Sequence, residues 1–192
     1  MGERRIYLVR HGQYAVDAVP EDGLGGSLTD LGRQQAERTA ERFSRMRVDV
    51  IVHSGLRRAR ETAEIIASRL SGVVVCESAL LRECIPCIPI GYESAFASLS
   101  PEQLAREAQQ ARAAYEVYFT PSPDVERHDL LVCHGNLIRY FMLRVLQAPV
   151  ALWANAETYT CGVSEVWVRA DGRATLISHN ESDHLPPEWR MF

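Results

Sequence analysis

Hydrophobic positions in this chain fall into short continuous runs, each ending at polar or glycine residues before a longer segment of helical spacing begins. Tyr7-Leu8-Val9 is the first run, built from side-chain types that fill a buried strand, and it stops at Arg10, where a charge cannot remain inside unpaired. A Gly-rich stretch from Gly23 to Ser27 follows; Thr29-Asp30 is then a helix N-cap signal, and Ala, Glu, Arg and Gln carry a helix to about Phe43. Val48 to His53 predicts a second strand. Arg57 to Leu70 places Ala59, Ala63, Ile66 and Leu70 on one helical face, and Ser71-Gly72 closes that helix before a third strand at Val73 to Val75. Pro, Gly and Ser mark Cys84 to Ser100 as a loop, Ser100-Pro101 starts a helix that runs to Tyr118, and Pro121-Ser122-Pro123 breaks it. Asp129 to Cys133 is a fourth strand and Asn136 to Leu146 a further helix. Val163 to Val168 and Ala174 to Ser178 pair as a hairpin around Asp171-Gly172.

Strands alternating with helices predict an α/β fold: a three-layer α/β/α sandwich whose central sheet is mostly parallel, with an antiparallel contribution from the final hairpin. A length of 192 residues at 46% hydrophobic content suits one sizeable core, so a single domain over 1–192 is expected. A net charge of −4 argues against a protein that coats nucleic acid or an anionic membrane, so any anion site must be a local cluster. Met1 to Arg5 is polar and runs straight into the first strand, and no run of 18 apolar residues follows, so no membrane association is expected. Five cysteines are an odd number in a chain large enough to need no staples, which suits a reducing compartment; the expectation is cytoplasmic. Cys84-Ile85-Pro86-Cys87 has the spacing of half a zinc site, but its second half is missing, so these are read as loop or core thiols, with no metal and no cofactor.

Two strands end alike. Arg10-His11-Gly12 and His134-Gly135-Asn136 each follow a buried apolar run, and in a parallel sheet both ends lie along one edge, where open α/β folds bind ligands. The second strand ends in His53-Ser54-Gly55-Leu56-Arg57-Arg58, with Arg58 on the first turn of a helix, where a helix N-terminus and a guanidinium together favour an anion. Leu81-Arg82-Glu83 adds one carboxylate after the third strand. Arg10, His11, Arg58, Glu83 and His134 are what phosphoryl transfer through a nitrogen nucleophile requires: His11 attacks phosphorus, the arginines and the second imidazole hold the equatorial oxygens, and Glu83 protonates the leaving oxygen.

Taken in order, Arg10-His11-Gly12, Leu28 to Ala36, Ser54 to Ala59 with Thr62-Ala63, Leu81-Arg82-Glu83 and His134-Gly135-Asn136 make the chain similar to the histidine phosphatase, or phosphoglycerate mutase-like, superfamily. Within it the chain most resembles the mitochondrial serine/threonine protein phosphatases, through Gln13-Tyr14 beside the first motif and Ile138-Arg139-Tyr140 beside the last. The resemblance implies that His11 becomes phosphorylated, that Arg10, Arg58 and His134 form the phosphate pocket with Gly12, Gly135 and Asn136 contributing, and that Glu83 is the proton donor. Arg57 and Arg60 are read as solvated helix residues. The anchoring N-terminal segment of those phosphatases is not seen here, so mitochondrial targeting is not carried over.

A phosphorylated peptide or a small phosphate ester is the expected partner, and a homodimer is compatible with the resemblance. True mutases of the superfamily carry a long basic insertion between the acid and the second histidine. Here Cys84 to Cys133 is short and holds only Arg106, Arg112, Arg127 and His128 as basic residues, which favours hydrolysis, since a phosphatase must admit water. The alternatives are a mutase or small-metabolite phosphatase, a metallophosphatase using His11, His53, His134 and Glu83, and a silent binding module on the same fold. His53 is read as a residue behind the pocket or a structural histidine. His179 and His184 are read as solvated or draped over the site, and Trp153, Trp167 and Trp189 as core or interface anchors.

Overall fold

The computed structural model describes residues 1–16 and 23–192. Six strands, β1 (Arg4–Arg10), β2 (Val50–His53), β3 (Val74–Glu77), β4 (Arg127–Cys133), β5 (Val163–Val168) and β6 (Ala174–Glu181), form one sheet in the order β3-β2-β4-β1-β5-β6. The first four strands are mutually parallel, and β5 is antiparallel to β1. Helices α1 (Asp30–Phe43) and α2 (Arg57–Ala67) cover one face, and α3 (Pro101–Tyr118) and α4 (Gly135–Val145) cover the other.

The continuous apolar runs follow from burial on both faces. Ile6, Leu8, Leu131 and Cys133 point toward Ala114, Leu137 and Phe141, whereas Tyr7, Val9, Leu130 and Val132 pack with Phe43, Ala63 and Ile66. β3 is the exception: all four residues are exposed, and it is the edge strand of the sheet.

The helix starts match the capping signals. Thr29 Oγ1 accepts from the Gly32 amide at 3.1 Å, and Ser100 Oγ accepts from the Gln103 amide at 3.1 Å ahead of Pro101. The second helix ends earlier than its apolar spacing predicts, at Ala67 instead of Leu70. The chain tightens there into a turn closed by Leu70 N–H to the Ala67 carbonyl at 3.0 Å, which keeps Leu70 against the core without continuing the helix. The segment read as a loop contains a short 3₁₀ turn at Glu93–Phe96, and the last strand extends to Glu181, beyond Ser178. Among the described residues, no helix is long and apolar enough to cross a membrane.

Two glycines bring the end of β1 onto the start of α1. A Cβ on Gly12 would sit 2.5 Å from the Gly32 carbonyl oxygen, and one on Gly32 would sit 1.9 Å from the Gln13 carbonyl oxygen. Neither backbone group can swing away. Gly32→Ala is therefore expected to cost about 1–3 kcal/mol, as overpacking does, read as a lowered denaturation midpoint; an unchanged midpoint would show that the contact relaxes freely.

Candidate active site

Register decides which residues meet. Arg10 on β1 pairs with Cys133 on β4, and His53 on β2 pairs with Val132 on β4, so three parallel strands end at the same level. The residues that follow, His11, His134 and Ser54, leave the sheet together. Their neighbours are buried apolar strands that hold these ends rigid.

The hydrogen-bond partners fix both imidazole tautomers. His11 is 2% exposed, and its Nδ1 lies 2.8 Å from the Gly12 carbonyl oxygen. A carbonyl only accepts, so Nδ1 carries the proton and Nε2 keeps its lone pair. That lone pair accepts from Arg58 Nε at 3.0 Å. Arg58 Nη2 also donates to His134 Nδ1 at 3.2 Å, which leaves the His134 proton on Nε2, where it is donated to Ser54 Oγ at 2.8 Å. One guanidinium thus bridges two rings whose centroids are 5.0 Å apart. Arg58 is itself stacked on Tyr14, with its carbon 4.5 Å from the ring centroid.

Burial holds both histidines neutral. Both have pKa values well below the ordinary histidine range, first through loss of solvation; Arg58 is the next cause for His11, and His11 followed by Arg58 for His134. Burial also lowers Arg10 and Arg58 from the usual arginine value.

Arg10 donates to the Thr158 carbonyl, and its Nε, like Thr158 Oγ1, is buried with no hydrogen-bond partner among the described residues. Both atoms lie beside Gly135, where an added Cβ would be 3.3 Å from Thr158 Oγ1 and 3.6 Å from Arg10 Nε. A buried guanidinium N–H left unpaired is costly, and an anionic oxygen is its natural acceptor.

Glu83 feels Arg58, Arg10 and Arg139 in that order, which places its carboxylate within their common field. Its surface is open to water, yet protein encloses it on nearly every other side. Enclosure outweighs the three arginines and pushes the carboxyl up to about 7.

The other expected residues are placed as follows. Asn136 is on the first turn of α4, and its Oδ1 accepts from Arg139 Nη2 at 2.6 Å, so its side chain orients Arg139, whose charge acts on Glu83. His53 Nδ1 accepts from the Gly55 amide at 3.1 Å and serves a turn. His184 packs on Thr39 and the Cys161 carbonyl beneath α1, away from the pocket. Trp153 is buried, whereas Trp167 is sandwiched between Arg5 and Arg169 and is not a core residue. All five cysteines are free. Among the described residues, no three His, Cys, Asp or Glu side chains gather as metal ligands.

Sequence reasoning missed the supports. Thr62 Oγ1 accepts from the Gly12 amide at 3.1 Å and donates to the Arg58 carbonyl at 2.7 Å, locking the first motif to the helix that carries Arg58. Gln35, fully buried, accepts from the Gln13 amide at 2.9 Å and donates to Thr160 and the Trp189 carbonyl. A polar residue on the apolar face of a predicted helix is the signal that marks Gln35. Thr158 has no such signal, because it lies in an irregular segment distant in sequence from Arg10.

Comparison with known proteins agrees with this geometry. The model of the histidine phosphatase superfamily (branch 1) matches residues 6–86. The chain is 32% identical over 192 residues to the mitochondrial serine/threonine-protein phosphatase PGAM5 of Rattus norvegicus, covering 96% of this chain and 65% of the relative. It is 33% identical to the Xenopus tropicalis counterpart, covering 96% of this chain and 67% of that protein. The chain thus spans about two thirds of the length of these relatives. Among solved structures, a phosphoglycerate mutase from Plasmodium falciparum superposes with a TM-score of 0.66 at 27% identity, covering 100% of this chain and 99% of that one.

One expectation is corrected. The cytoplasmic location does not stand, because the curated relatives are mitochondrial proteins; free thiols fit any reducing compartment and do not single out the cytoplasm. With the motifs in order, the shared fold and the similarity across nearly the whole chain, this protein belongs to the histidine phosphatase superfamily.

Proposed function

We propose that the chain hydrolyses phosphate monoesters through a phosphohistidine, with phosphoprotein serine and threonine esters as the substrate class. The observation that carries this reading is the His11 tautomer: the Gly12 carbonyl holds the proton on Nδ1, so a buried, neutral Nε2 keeps its lone pair and meets the Arg58 guanidinium. The Ser/Thr class rests on the relatives, which are serine/threonine-protein phosphatases.

Substrate phosphate displaces the Arg58 Nε contact, and its oxygens take the N–H groups of Arg58 and the unpaired Nε–H of Arg10. His11 Nε2 attacks in line, so an N–P bond forms as the ester P–O bond breaks. The departing oxygen takes the proton of Glu83. The resulting phosphoimidazolium keeps its Nδ1–H on the Gly12 carbonyl, which stabilises its positive charge. Water then attacks phosphorus while Glu83 accepts its proton; phosphate leaves, and neutral His11 is restored. No step needs a metal, and we expect turnover to survive excess chelator; loss with EDTA and recovery with a divalent cation would contradict that expectation.

The pH profile follows from the two perturbed groups. Glu83 must be protonated to donate, so kcat/KM is expected to fall above about 7, the position to which its carboxyl is raised, at about tenfold per pH unit. His11 is already neutral well below the ordinary histidine range, so its acid limb lies at lower pH. Glu83→Gln should lower the rate and abolish the alkaline limb. An unchanged limb in that variant would remove Glu83 from the proton-donor role.

A further inference from the structure

At the opposite end of the sheet from His11 lies a cleft of about 920 Å³ between the C-terminal turn of α4 and the β5–β6 turn. Its walls carry Arg144, Arg169 and Arg173 together with Tyr115, Glu3 and Asp171. The carboxylates are already engaged. Asp171 Oδ2 is 2.7 Å from Arg173 Nε, and Glu3 accepts from the Trp167 indole at 3.0 Å with Arg169 at 4.0 Å.

Arg144 differs from the other two. It donates to the Tyr140 hydroxyl at 2.8 Å and stacks over Tyr115 at 4.5 Å, and no carboxylate pairs with it among the described residues. Two aromatic rings orient a guanidinium whose remaining donors have no anion, a preorganised form of carboxylate recognition. Arg169 also stacks on a ring, 3.3 Å over Trp167, but its charge faces Glu3 at 4.0 Å.

We propose that this cleft docks an acidic stretch of a phosphoprotein substrate while the phosphorylated residue occupies the His11 pocket. The inference rests on the hydrolase reading above. Helix α4 connects the two places: Gly135 starts it at the pocket and Arg144 stands in its last turn at the cleft. Its 11 residues span about 16 Å at about 1.5 Å per residue. An extended peptide covers that with about five residues, so the acidic stretch sits at least that far from the phosphorylated residue. A small phosphate ester cannot reach both places, and only a chain gains from the second contact through effective concentration.

The test uses two fluorescent phosphopeptides, with five glutamates or five glutamines placed about six residues from a phosphoserine. For the wild type we expect the glutamate peptide to show a KM at least about tenfold lower, with similar kcat and a preference that fades with salt. Arg144→Glu should erase the preference while hydrolysing p-nitrophenyl phosphate at the wild-type rate. Arg173→Glu, at a side chain 82% exposed, should weaken the preference without altering the fold. Anisotropy with the unphosphorylated glutamate peptide reads docking without turnover. Equal KM for both peptides, or a preference intact in Arg144→Glu, overturns the docking cleft. Arg144-dependent binding without hydrolysis of either peptide instead supports the cleft and overturns the hydrolase reading.

Discussion

Replacing His11 by alanine is expected to lower kcat/KM by on the order of 10⁵-fold, the scale seen when an enzyme loses its nucleophile. Positioning alone cannot substitute for it, because without Nε2 there is no intermediate to divide the reaction into two easier steps. The variant should still bind phosphate. Arg10, Arg58 and His134 remain, and removing the imbedded imidazole frees Arg58 Nε to serve the anion. Titration with inorganic phosphate should therefore give a Kd within about threefold of the wild type, inside about 0.7 kcal/mol. A large loss of phosphate affinity would mean that His11 holds the pocket together instead of reacting within it.

Arg58→Ala is expected to have the next largest effect, about 10³-fold in kcat, in line with the removal of a charged group aimed at a phosphoryl transition state. The residue serves two rings at once, with Nε on His11 and Nη2 on His134. Its charge is also among the causes holding both imidazoles neutral. Removing that charge raises the His11 pKa toward its ordinary value, so the acid limb of the pH profile moves to higher pH. Arg58→Lys keeps the charge but lacks the planar fork that reaches both nitrogens; it should restore the position of the acid limb while recovering less than about tenfold of the rate. Full recovery by lysine would show that the contact is a point charge and not a two-ring bridge.

The sheet and the residues gathered at the candidate site were legible for one physical reason. A buried strand tolerates only apolar residues, so a histidine or arginine directly after one marks where the chain leaves the core, and parallel strands bring such marks to one edge. Arg10, His11 and His134 were found in that way, and the paired register of β1 and β4 brings them together. Arg58 and Glu83 were readable from their positions after β2 and β3, although the raised carboxyl of Glu83 depends on enclosure that sequence does not describe. What stayed hidden are contacts between distant segments. Thr158 joins Arg10, Gln35 ties the first motif to the C-terminal Trp189, and Arg139 holds the Asn136 side chain. No local spacing encodes these. The same applies to the Arg144 cleft, whose walls come from α3, α4, the β5–β6 turn and the residue just before β1.

The account turns on a covalent bond between His11 Nε2 and phosphorus. Mixing enzyme with a phosphate monoester, quenching within the first turnover under alkaline conditions and mapping the modified peptide tests it directly. The predicted result is a single acid-labile phosphoryl group on His11, formed before product phosphate is released and absent from His11→Ala. Turnover with no such adduct, or with an acid-stable phosphate on Ser54 or another hydroxyl, would contradict the account.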